Sequence, residues 1–119
     1  MDHSPEFLEL VKEAMAGVRE VSVEEARKRV NNGAVLIDVR EDNEFEEEHA
    51  AGAEHMGRGV IERDIRFKHP DKGEELILYC GGGYRSALAA ANLHKMGYTN
   101  VWSMAGGWTA WKEAEAPID

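Results

Sequence analysis

Cys80 is the only cysteine among 119 residues, and it is followed by Gly81, Gly82, Gly83, Tyr84, Arg85 and Ser86. A deprotonated thiol is a soft nucleophile and a good sulfur ligand. Three glycines in a row lack a Cβ, so the backbone can turn its N–H groups toward a common centre and hold an anion there. The residues from Ser86 onward read as a helix, with its start near Arg85 or Ser86, and the first N–H groups of a helix are unpaired and partly positive. Arg85 adds a full positive charge beside them. Together these features predict a cysteine that gives up its proton readily and a loop that stabilises the resulting anion. The plain alternative is a small buried hydrophobe that happens to be cysteine, and three glycines and an arginine are poor company for a core residue.

The elements that must hold this loop can be read around it. Leu76-Ile77-Leu78-Tyr79 is an apolar run bounded by turns, the pattern of a strand buried on both faces. Ser86 to Met96 is the helix after the loop, closed by Gly97, and its alanines at 87, 89, 90 and 91 let it lie close to a sheet. Ala34 to Val39 forms a second buried strand, ending in Asp38 and Arg40, and Val101 to Met104 a short third one. Pro5 to Ala16 carries Leu8, Val11 and Met15 at helical spacing after a Ser4-Pro5 start, so the spacing predicts an N-terminal helix packed by one stripe, or serving as a docking or dimer surface. Ser22-Val23-Glu24-Glu25 is a capping-box pattern for a helix running to about Asn31 and closed by Gly33. Glu41 to Glu48 reads as a short acidic helical stretch around Phe45. His49 to Arg66 reads as loop with one short helix near Val60 to Asp64. His69 to Gly73 is a turn, and Trp108 to Ala114 is a last helix following the Ala105-Gly106-Gly107 turn. Helices alternating with short apolar strands predict an α/β domain with a mostly parallel sheet flanked by helices on both faces. In such sheets, sites lie at the carboxyl ends of strands, where Cys80 and the Asp38/Arg40 pair both fall.

Composition narrows the function. Lys and Arg number 14 against 23 Asp and Glu, a net charge of −9, which argues against a nucleic-acid or membrane-surface role. A hydrophobic share of 43% supports one domain with its own core. A lone cysteine makes no internal disulfide, and no Cys/His cluster has metal spacing, so neither a metal nor another cofactor is expected. His49 and His55 read as hydrogen-bonding loop residues. With no membrane-length apolar run and no signal peptide at the start, a cytoplasmic protein is expected.

The chain resembles a single-domain rhodanese. The matching stretches are Leu36-Ile37-Asp38-Val39-Arg40-Glu41, His49 through Met56, the loop Cys80 to Ser86, and Gly97-Tyr98 through Met104-Ala105-Gly106-Gly107-Trp108. They occur in the family's order and span roughly residues 20 to 112. The second stretch departs from the family's usual form, with Ala50 and Met56 where isoleucines are commoner. The resemblance implies a rhodanese-like three-layer domain over residues 18–117, preceded by a helical extension over 1–17. It implies sulfur transfer. The Cys80 thiolate attacks the outer sulfur of thiosulfate or a similar donor, sulfite leaves, and the persulfide passes its sulfur to cyanide or a thiol. By position, Cys80 is the nucleophile, and the amides of Gly81, Gly82, Gly83, Tyr84 and Ser86 hold the persulfide. Arg85 closes the loop and attracts the donor, Asp38 and Arg40 position the loop by hydrogen bonds, and Arg58 is a candidate for binding the donor anion. Tyr84 is expected at the rim and Trp108 in the core or walling the pocket.

Two rivals follow from related chemistry. Phosphatases and arsenate reductases bracket an oxyanion with five residues between cysteine and arginine; here four intervene, which makes a tighter cradle, suited to a terminal sulfur. The other rival is a rhodanese-like module that hands sulfur to a protein acceptor, with little small-molecule turnover and with the N-terminal helix and acidic surface facing the partner.

Overall fold

The computed structural model describes residues 3–119. The chain alternates helices and strands: α1 Pro5–Met15, β1 Arg19–Val21, α2 Val23–Asn31, β2 Val35–Asp38, α3 Asp42–Glu47, β3 Glu54–His55, α4 Ile61–Lys68, β4 Leu76–Tyr79, α5 Tyr84–Lys95, β5 Val101–Met104 and α6 Gly107–Glu113. The five strands form one sheet in the order β1-β5-β4-β2-β3, and every pairing is parallel. β4 is central, with Leu76 beside Val35 on one side and Val101 on the other.

Strand side chains alternate between faces, and the core divides accordingly. Ile37, Leu76 and Leu78 pack with Ile61 and Ile65 of α4 and Ala89, Ala90 and Leu93 of α5. Leu36, Ile77 and Tyr79 pack on the opposite face with Val23 and Ala26 of α2 and Trp108 and Trp111 of α6. All four β4 residues are 0% exposed, because helices cover both faces of the sheet. The alanines of α5 allow that helix its close approach.

Ser4 and Ser22 both cap their helices, but at Ser22 only half of the expected capping box forms, the Glu25 carboxylate accepting from Arg29 instead. The Ser4 hydroxyl accepts from the Phe7 N–H at the start of α1, and Ser22 accepts from Glu25 N–H at the start of α2. Helix α1 packs on α5 through a narrower stripe than the spacing predicts. Val11 is buried and Met15 partly buried, but Leu8 is 42% exposed. Three further differences stand out. Arg19–Val21 is an edge strand at a place where the sequence pattern marks none. Glu54–His55 is a second edge strand where loop is expected. Helix α4 runs on to Lys68 because Ile61 and Ile65 share one buried face.

Candidate active site

β4 ends at Tyr79, Cys80 follows, and the chain turns through Gly81–Gly83 into α5. Gly83 has φ +110° and serves as the N-cap, so α5 begins at Tyr84, one or two residues before the expected start near Arg85 or Ser86. The left-handed backbone at Gly83 aims its N–H back at Cys80, where it donates to Sγ at 3.0 Å. The Ser86 hydroxyl lies 3.5 Å from the same sulfur. Ser86 Oγ also lies 2.8 Å from Ser103 Oγ of β5 and donates to Gly83 O at 3.1 Å. Both serines are fully buried, so the sulfur sits beside a dry pair of hydroxyls. Among the loop amides of the described residues, the one bonded to Sγ is that of Gly83.

The loop is held from behind by α6. Trp108 N–H donates to Cys80 O at 2.7 Å, and Thr109 N–H to Gly81 O at 3.2 Å; the Thr109 hydroxyl adds a bond to Gly81 O at 3.2 Å. Such close docking requires a glycine. A Cβ on Gly107 would lie 2.3 Å from Cys80 O.

Cys80 lies on the floor of a cavity of about 900 Å³ lined by His3, Phe7, Glu44, Arg58, Gly81, Gly82, Tyr84, Arg85 and Thr109. Tyr84 is 40% exposed at its rim. The two arginines differ. Arg85 Nη1 donates to Glu44 Oε1 at 2.9 Å and Nη2 to Oε2 at 3.4 Å, and Glu44 Oε1 also accepts from Glu41 N–H at 3.0 Å. The hydrogen bond from Arg85 pulls the Glu44 carboxyl below its ordinary range, and the same bond raises the Arg85 guanidinium. Arg85 is therefore engaged by a carboxylate. Arg58 has no carboxylate at ion-pair distance among the described residues; its N–H donates to Val39 O.

Asp38 and Arg40 do not line this cavity. Asp38 is fully buried and accepts from Arg40 N–H, from the Arg40 guanidinium at 2.9–3.1 Å, and from the Tyr79 hydroxyl at 2.7 Å. Arg40 also donates to Glu48 O and lies 4.7 Å over the Trp108 ring. Burial raises the Tyr79 phenol well above its ordinary range, and its bond to Asp38 adds to the shift. The cluster couples the end of β2 to Tyr79, the residue before the cysteine. Trp108 belongs to this cluster and does not wall the Cys80 cavity. His49 and His55 stack on Phe45 at 3.7 and 4.7 Å, and their ring nitrogens lie 2.8 Å from Phe45 O and Arg40 O.

Sequence reasoning overlooked Glu44, Ser103, Thr109 and the two N-terminal aromatics. Glu44 looks like one more member of an acidic solvated face, and its partner is 41 residues away. Only the Gly106-Gly107 pair before Trp108 hinted at close backbone contact.

A parallel α/β sheet carrying a single thiol at the tip of its central strand, in a glycine loop that opens a helix, places that thiol at the carboxyl end of the strand, where sites lie in such sheets. The family model for the rhodanese-like domain matches residues 22–114, and the chain belongs to that family, with the sulfurtransferases. A thiosulfate sulfurtransferase GlpE of Haemophilus influenzae (strain ATCC 51907 / DSM 11121 / KW20 / Rd) is 33% identical over 102 residues, 85% of this chain and 94% of the relative. The GlpE of Ectopseudomonas mendocina is 32% identical, over 82% of this chain and 88% of its own. Among solved structures, the polysulfide-sulfur transferase homodimer of Wolinella succinogenes matches with a TM-score of 0.82 and 27% identity, covering 96% of this chain and 87% of that one. A Rhodopseudomonas palustris protein of unknown function, described as a possible tyrosine phosphatase, matches equally well, with a TM-score of 0.82, 27% identity and coverage of 100% and 99%. The family match begins after α1 and β1. Among the described residues, no helix is long and apolar enough to cross a membrane.

Proposed function

We propose that the protein is a persulfide-forming sulfurtransferase. The Cys80 thiolate attacks the outer sulfur of thiosulfate or a similar sulfane donor. A Cys80–sulfur bond forms, the donor's S–S bond breaks, and sulfite leaves with the electron pair. A thiol or cyanide then takes the outer sulfur and returns Cys80 to the thiolate. The observation that carries this reading is the surroundings of Sγ, with the Gly83 N–H at 3.0 Å and the Ser86 hydroxyl at 3.5 Å on the floor of an open cavity. The Gly83 N–H is fixed before any charge arrives, so its stabilisation of an anionic sulfur costs little reorganisation.

In this reading Arg58 keeps the donor-binding role expected of it, and Arg85 keeps the loop-closing role but not that of attracting the donor. Arg58 meets the anionic end of the donor, since Arg85 is already neutralised by Glu44. Arg85 holds the loop by tying the start of α5 to α3. Asp38 and Arg40 set the end of β2 against Tyr79 and so position the strand that carries the cysteine. Phosphate-ester hydrolysis fits less well, because Glu44 would face a phosphate bound against Arg85 and because the loop is one residue shorter than that chemistry needs.

The test is to incubate the reduced protein with thiosulfate and take an intact mass. A gain of one sulfur atom, reversed by cyanide, is expected. No gain with thiosulfate or with other sulfane donors would overturn the reading, and hydrolysis of p-nitrophenyl phosphate at Cys80 would replace it with the phosphatase alternative.

A further inference from the structure

We propose that His3 and Phe7, which precede the matched family domain, join Tyr84 in an aromatic wall that selects the sulfur acceptor, a small organic thiol with an apolar, ring-bearing body and a carboxylate. The inference rests on the sulfurtransferase reading and names the acceptor class for that same site.

Three observations carry it. The first is size. A cavity of about 900 Å³ lies within the range that takes drug-sized ligands, far more than thiosulfate or cyanide requires.

The second is the nature of one wall. The His3 and Phe7 rings lie 5.1 Å apart, His3 and Tyr84 5.2 Å in an edge-on arrangement, and Phe7 and Tyr84 6.1 Å. These spacings are those of interacting aromatic groups. The rings are not sunk in the core: His3 and Tyr84 are exposed and Phe7 is half-buried, so they present π-surface to whatever occupies the cavity. The wall is anchored. Phe7 N–H is capped by Ser4, Val11 of the same helix is buried, and α1 packs along α5, the helix that Tyr84 begins. An aromatic surface fixed beside a nucleophile contributes little to a small inorganic anion and much to an apolar body.

The third is charge. Arg58 lines the same cavity and has no ion-pair partner among the described residues. After sulfite has left, that guanidinium is available to a carboxylate on the acceptor. The transfer step needs no outside oxidant or reductant. The acceptor thiolate attacks the outer sulfur of the Cys80 persulfide, a new S–S bond forms on the acceptor, and the old one breaks with its electron pair returning to Cys80.

Single-turnover transfer from persulfide-loaded protein isolates this step from donor binding. The probes are 2-mercapto-3-phenylpropionate and 2-mercaptopropionate, which share a thiol and a carboxylate and differ by the ring. Wild-type protein is expected to transfer to the phenyl thiol at least ~10-fold faster, the low end of what an apolar contact contributes to specificity. Phe7→Ala should bring the ratio of the two rates to below about 3, and Phe7→Leu, which keeps apolar area but not the ring, should fall between. Melting temperature checks that each variant folds. Equal rates for the two thiols in wild type, or the same ratio in wild type and Phe7→Ala, would overturn the wall while leaving persulfide chemistry intact. Failure of thiosulfate and other donors to load Cys80 would sink the underlying reading and this inference with it.

Discussion

Gly107→Ala puts the seat of the cysteine under direct test. Gly107 has φ +52°, and its added Cβ would lie 2.3 Å from Cys80 O and 3.0 Å from the carbonyl carbons of Cys80 and Gly81. Every one of these atoms is backbone, so no side chain can swing aside. Relief requires the start of α6 and the Cys80 peptide to part by about 1 Å to regain ordinary contact. That movement breaks the Trp108 N–H bond to Cys80 O, a net loss of ~1 kcal/mol, and the left-handed backbone adds ~1–2 kcal/mol for any residue with a Cβ. With the steric term the expected loss is about 3–4 kcal/mol, a fall in Tm of roughly 12–16 °C for a domain of this size. Displacing the nucleophile by about 1 Å should also slow persulfide loading by ~10²-fold. Gly33→Ala is the control. Gly33 has φ +108° with nothing within 4 Å of its added Cβ, so it loses only the backbone term, roughly 4–8 °C. Thermal melts of both variants, with thiosulfate loading followed by intact mass, make the comparison. If Gly107→Ala melts no lower than Gly33→Ala and loads sulfur at the wild-type rate, the claim that α6 sets the position of Cys80 is wrong.

Cys80→Ser should abolish sulfur loading and transfer while keeping the melting temperature within a few degrees, because the hydroxyl can keep its bonds to Gly83 N–H and Ser86; residual transfer would remove Cys80 as the carrier. Arg58→Ala should raise the KM for thiosulfate several-fold with little change in Tm, and an unchanged KM would mean that the donor anion is met elsewhere. The bond to Arg85 lowers the Glu44 pKa from an ordinary 4.5. The pair's stabilisation is therefore complete above pH 4.5 and lost as the pH falls through the lower folded value, so Glu44→Gln should flatten the acid limb of the Tm–pH curve. His69 has the opposite sign. Burial opposes its charge, but bonds to Glu54 and Glu74 at 2.9 Å each outweigh it and raise the pKa above 6.5. That stabilisation is complete below pH 6.5 and lost as the pH rises through the raised value, and Tm measured across pH 6 to 9 should decline in wild type and stay level in His69→Gln.

The features legible in the sequence are those written within one short segment. β4, β2 and β5 declare themselves as apolar runs, Ser4 and Ser22 mark their helices, and the glycines after Cys80 declare a loop. What was hidden depends on distant partners. Arg19-Glu20-Val21 has no strand pattern of its own and becomes one by lying beside Trp102–Met104. Glu54–His55 is two residues long and exists as a strand only against Ile37–Asp38. Arg85 looked like the loop's free cation because nothing local marks Glu44, on another helix, as its partner. Trp108 reads as core or pocket wall, and the structure puts it in the core, with Arg40, far away in sequence, stacked on it. Nothing local singles out His3 and Phe7, and their place in the wall of the Cys80 cavity follows from how α1 lies along α5.

The bonds from Trp108 and Thr109 to the carbonyls of Cys80 and Gly81 also order events in time. A nascent chain that has emerged as far as Lys95 already contains the thiol, its glycines and α5. It lacks Ser103, the α6 amides and β5, the strand that β1 pairs with. The reactive sulfur is thus encoded ahead of the parts that seat it. Parallel sheets closed by distant strands assemble late. Until β5 and α6 arrive, the thiol stands uncovered, open to oxidants and to exchange with other thiols.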